Sequence, residues 1–103
     1  MEELELAAFQ LITNAGEARS CLFQALKASR EERFEEAENL IKESEIHLGR
    51  AHESHSGLIN QEASGNAVNV TLLLMHAEDQ LMTTETLKEI TKEMLLTHKK
   101  YSK

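Results

Sequence analysis

No proline occurs in this chain of 103 residues, and glycine occurs only four times. These two residues are the strongest punctuation marks of local structure. A chain with so few of them has few turns and must be built from a few long elements. Its apolar material is mostly leucine, isoleucine, methionine and alanine. Apart from isoleucine, these residues rank among the strongest helix formers. Aromatic side chains are confined to Phe9, Phe23, Phe34 and Tyr101. The reading is all-α, with residues 1–103 as one domain large enough to bury a modest core.

Two stretches carry turn chemistry. In "ASREERF" (28–34), Ser29 followed by Glu32 matches a capping box. In "EASGNAVN" (62–69), Ser64, Gly65 and Asn66 suit a turn, and Asn66 or Asn69 is expected to cap the next helix. Three helices are therefore predicted, at about 3–28, 32–62 and 67–99. In the first, Leu4, Ala8, Leu11, Ala15, Ala18, Leu22 and Ala25 form a stripe at steps of three and four. In the second, Phe34, Ala37, Leu40, Ile41, Ser44, Leu48, Ala51, His55, Leu58 and Ile59 do the same, opposite a charged face. Lys99, Lys100 and Lys103 suit the negative end of the third helix dipole. Short connections between such helices force neighbours to run antiparallel, giving an up-down-up three-helix bundle.

Charge removes several functions. The formal net charge is −7. Nucleic-acid binding needs a basic patch to displace counterions, and anionic lipid attracts basic segments. Neither nucleic acid nor direct membrane insertion is expected. A single cysteine, Cys21, excludes an intrachain disulfide and a cysteine-rich zinc site. It sits among Ala18, Leu22 and Ala25 and reads as a small core residue. The acidic start, Met1-Glu2-Glu3, is the opposite of a signal peptide's basic segment, so a cytoplasmic protein is expected.

The segment "LLLMHAEDQLMTT" (72–84) is harder to place. Leu72, Leu73, Leu74 and Met75 read as core, yet His76 and Asp79 come next at helical spacing. At ~100° per residue, Leu72 falls about 40° and Asp79 about 60° to one side of His76, Thr83 about 20° to that side and Gln80 about 40° to the other. Residues 72, 76, 79, 83, 86 and 90 thus form a heptad-like seam that contains both ionisable groups. Around it the third helix is apolar on most of its circumference and needs partners on several sides. Self-association through this helix is therefore expected. Symmetry-related Asp79 carboxylates would then approach one another, and a hard divalent cation such as Mg²⁺ would offset their repulsion. Pattern alone leaves other readings open: a satisfied core histidine, a local His–Asp contact, or polar residues that only fix register.

"HAEDQLMTT" (76–84) resembles the active-site segment of the IIA components of the lactose/cellobiose (chitobiose) group in the bacterial sugar phosphotransferase system. That segment commonly reads H-A-Q-D-H-L-M-T-T. "AGEARS" (15–20), the F-x-x-A-x-x-L of 34–40 and "AHESHSGLINQEASG" (51–65) resemble other parts of the family, so the likeness spans nearly the whole chain. It implies a trimer of three-helix chains. It also implies that His76 accepts a phosphoryl group from HPr and passes it to a cysteine of a IIB component, which serves the membrane permease IIC. Asp79 aligns with the aspartate gathered around a divalent ion on the trimer axis. Gln80 and Thr83, close to His76 on the wheel, are candidate donors to the phosphoryl oxygens. Two departures stand out: Glu78 replaces the common glutamine, and Gln80 the common histidine. On the wheel Glu78 points well away from His76.

Two rival functions fit the residues less fully. One is a catalytically diverged adaptor or regulator that binds the same partners. The other is a metal-binding bundle that uses His52 and His55 of the second helix, although no third ligand has a fixed relation to them. His98 is expected on the surface.

Overall fold

The structure, a computed structural model, describes residues 3–103. Met1 and Glu2, part of the acidic start, lie outside the described residues. Three helices account for nearly all of the rest: α1 (Glu3–Arg30), α2 (Phe34–Ala63) and α3 (Leu72–Tyr101). Among the described residues there is no strand.

Helix directions are set by which segments share a core. Ala8, Leu11 and Ala18 of α1 pack with Leu48 and Ala51 of α2 and with Leu74, Ala77 and Leu81 of α3. At the other end, Leu22, Ala25 and Ala28 of α1 pack with Ala37 and Ile41 of α2 and Leu95 of α3. The first half of α1 thus meets the second half of α2 and the first half of α3. This is the up-down-up bundle, drawn out to 56 × 23 × 19 Å. α1 packs on both other helices more extensively than they pack on each other. Its buried Ala8, Ala15, Ala18, Ala25 and Ala28 let both neighbours approach closely.

The helix ends differ from the sequence expectation. Ser29 does not open a capping box. It lies within α1, is 1% exposed, and its hydroxyl is 2.6 Å from Nδ1 of His98 on α3. This contact replaces the expected surface position of His98, which is half-buried. The α1–α2 turn is made instead by Glu32 at φ 62° and closed by the Arg33 N–H donating to the Ala28 carbonyl at 2.8 Å. Arg33, the residue before α2, makes no side-chain cap. It pairs with Glu31 at 2.7 Å and with Glu36.

α2 ends as predicted near Gly65, whose φ of 92° suits glycine and whose N–H donates to the Glu62 carbonyl. α3 starts later than predicted. Neither Asn66 nor Asn69 caps it. Thr71 does, its hydroxyl accepting from the Leu74 N–H at 3.1 Å.

Candidate functional site

The Thr71 cap fixes the first turn of α3, and with it the rotation of every later side chain on the helix. Leu74, Ala77, Leu81, Thr84, Thr91 and Leu95 face the bundle and are buried. These positions form one heptad-like stripe. The seam of His76, Asp79, Thr83 and Ile90 is a second stripe, on the other side of the helix. It does not enter the core of the chain: His76, Asp79 and Thr83 are exposed. Leu72 and Met75, read from sequence as core, are 82% and 58% exposed. The reason is geometric. A helix that is apolar on several sides can bury only the side that faces its own bundle.

The structure therefore gathers His76, Asp79, Gln80 and Thr83 on one open face of α3. Gln80 is half-buried at its edge. The Thr83 hydroxyl donates to the Asp79 carbonyl at 2.8 Å, so its proton is already engaged by the backbone. Among the described residues Asp79 makes no ion pair. Leu72, Met75, Met82 and Ile90 add exposed apolar surface along one side of this group. Scattered exposed apolar residues are ordinary, but a contiguous patch rimmed by polar groups marks an interaction surface.

Two contacts were not foreseen from sequence. His55 Nδ1 lies 2.9 Å from one carboxylate oxygen of Glu78 and 2.7 Å from the other. His52 pairs with Glu85 through Nε2. The two histidines thus engage different glutamates of α3 and tie α2 to it. The signal available was the i, i+3 spacing of His52 and His55, which places both on one face of α2. Glu78 is turned toward α2, consistent with a wheel position well away from His76.

A groove of about 350 Å³ lies elsewhere, between α2 and the end of α3. Ile41 and Leu95 line it, and the ion pairs Glu45–Lys92 (3.3 Å) and Glu38–Lys99 span it. It is at least four helical turns from His76. An exposed imidazole on an open helix face, amid apolar side chains, is arranged to meet a protein surface. It lacks the concave enclosure in which small molecules are usually held. The fold and this face together define a small helical bundle that exposes a histidine beside apolar side chains on one helix.

The comparisons with known proteins agree. The family described as "PTS system, Lactose/Cellobiose specific IIA subunit" matches residues 6–99. The oligo-beta-mannoside-specific EIIA component of Bacillus subtilis is 48% identical over 91 residues, covering 88% of this chain and 83% of that protein. The crystal structure of the cellobiose-specific enzyme IIA from Bacillus anthracis superposes with a TM-score of 0.93 at 35% identity, covering 97% of this chain and 92% of that one. The IIA(Chitobiose)–HPr complex of the Escherichia coli phosphotransferase system gives 0.84 at 34% identity over the full length of both chains. This chain belongs to the lactose/cellobiose-specific IIA family of the sugar phosphotransferase system. It is a phosphotransferase component of that system.

Proposed function

We propose that the chain relays phosphoryl groups in sugar uptake, with His76 as the acceptor. The carrying observation is that α3 exposes His76 on an apolar docking face, in a chain whose family includes a IIA protein solved in complex with HPr. An imidazole nitrogen of His76 attacks the phosphorus of phospho-HPr. The new N–P bond forms as the bond to HPr breaks. In the second step the cysteine thiolate of a IIB component attacks the same phosphorus, and the electron pair of the N–P bond returns to the imidazole. The phosphorylated IIB then serves the permease IIC at the membrane. No nucleotide is required, and catalysis rests on alignment and on donors to the phosphoryl oxygens.

Gln80 is placed to offer its amide N–H. Thr83 can donate only by leaving the Asp79 carbonyl, which makes its role conditional on a side-chain rotation. Glu78 is held by His55, so its carboxylate is directed away from the incoming phosphoryl group. The exposed Met75 and Met82 supply a flexible apolar rim suited to two different partners.

The working unit in this reading is a homotrimer joined through α3. Three chains would cover Leu72, Ile90 and their neighbours, each buried side chain contributing about 1.5–3 kcal/mol at full burial. An exposed Asp79 carboxylate, without an ion pair among the described residues, fits a hard cation shared on the axis, Mg²⁺ in the first instance. Such an ion would supply charge compensation between subunits. The cellular setting is the cytoplasm, where HPr is met; no described helix is long and apolar enough to cross a membrane.

Incubation with phosphoenolpyruvate, Enzyme I, HPr and a IIB component tests the relay. The expected course is labelling of this chain first and of IIB after it. Labelling of IIB at the same rate without this chain would refute the relay.

A further inference from the structure

We propose that Cys21, Glu43 and His47 form a binding site for a thiolate-seeking divalent cation, zinc in the first instance, across the α1–α2 interface. Cys21 lies on α1, while Glu43 and His47 are i, i+4 on one face of α2. The sulfur, a carboxylate oxygen and an imidazole nitrogen lie within 4.8 Å of one another. Tetrahedral zinc with Zn–S of ~2.3 Å and Zn–N or Zn–O of ~2.1 Å places its ligand atoms roughly 3.4–3.8 Å apart. The three groups therefore need to draw in by no more than about 1.4 Å, within reach of side-chain rotations.

The second observation is on His47. Its Nδ1 is buried and has no hydrogen-bond partner among the described residues. A buried polar atom in that state is uncommon and costly. Packing explains Cys21 against Glu43, but leaves this nitrogen with nothing to do. A cation at this cluster would take one nitrogen of the same imidazole together with the other two groups. The donor set also selects the metal, because thiolate and imidazole favour zinc over magnesium.

Charge balance supports the assignment. On binding, the thiol releases its proton to solvent and the sulfur coordinates as thiolate. Thiolate and Glu43 carry two negative charges, which the dication neutralises. Glu43 is exposed and gives the ion its route in. The fourth position falls to water or to Glu17, one turn before Cys21 on α1. Bound metal would staple α1 to α2. It stands apart from the proposed Asp79 ion, with one metal per chain where the axis holds one per trimer.

Titration of the chelator-treated full chain with Zn²⁺ and with Cd²⁺ tests the site. The expected results are one ion per chain, a cadmium–thiolate charge-transfer band in the ultraviolet, and a higher Tm. His47→Gln and Glu43→Gln change groups at the edge of the core and should leave the helical circular dichroism intact. Each should weaken binding by at least about tenfold, since even outer-shell partners cost that much. Cys21→Ser should abolish the cadmium band. Asp79→Asn and His76→Gln should leave it unchanged. Absence of binding, or affinity unchanged in His47→Gln, overturns the proposal.

Discussion

Glu78 shows how a single residue can look damaging in sequence and be harmless in place. A carboxylate two positions from a phosphoryl acceptor should repel it. Here both of its oxygens lie near His55, on the far side of α3 from His76. Glu78→Gln should therefore change the rate of His76 phosphorylation by less than about twofold, roughly 0.4 kcal/mol in the barrier. The same variant should cost stability of about 1 kcal/mol, because a neutral amide oxygen replaces the carboxylate as the partner of His55. Stopped-flow labelling and urea unfolding check the two halves. A tenfold acceleration would show that the carboxylate does act on the phosphoryl group. His76 and Asp79 were legible in sequence as one seam. Their exposure was not, because the pattern shows which residues share a face but not which face the bundle buries.

At the scale of elements, the helix caps carry most of what sequence misread. Asn66 and Asn69 are good caps by type, yet the chain uses Thr71, because the rotation of α3 must bring Leu74, Ala77 and Leu81 onto α1. Thr71→Ala should destabilise the protein by about 1 kcal/mol, and fray the turn just before His76. Urea titration and hydrogen exchange at Leu74 would measure this. The long stripes of α1 and most of α2 were readable because burial there keeps one regular period; Ile59, at the end of the predicted α2 stripe, is 50% exposed. Ser29 was misread because its partner, His98, is 69 positions away. Another tie between helices is sensitive to pH. The hydrogen bond from Lys99 lowers the pKa of Glu38 in the folded chain. The folded carboxyl then holds its proton less tightly than the unfolded one. The pair's contribution is present above the unfolded carboxylate pKa and is lost as pH falls through the lower folded value. Glu38→Gln should flatten the acid limb of the stability curve; an unchanged limb would show that the pair is inert.

For the whole molecule, the chain is a bundle with one well-buried core and a second apolar face left on the outside of α3. That face makes the proposed trimer more than a packing convenience, since assembly through it would bring the Asp79 carboxylates together. Like charges so arranged need a cation or must take up protons. Sedimentation should show a trimer in Mg²⁺ that a chelator weakens, and Asp79→Asn should remove the effect of the chelator. A monomer under both conditions would refute the axial ion. The central claim concerns His76. Intact-mass analysis after exposure to phospho-HPr tests it most directly, with peptide mapping under alkaline conditions that preserve phosphohistidine. The account predicts one acid-labile phosphoryl group per chain, on the peptide that contains His76, and none on His76→Gln. An equal mass gain in His76→Gln, with the label on another histidine, would contradict it.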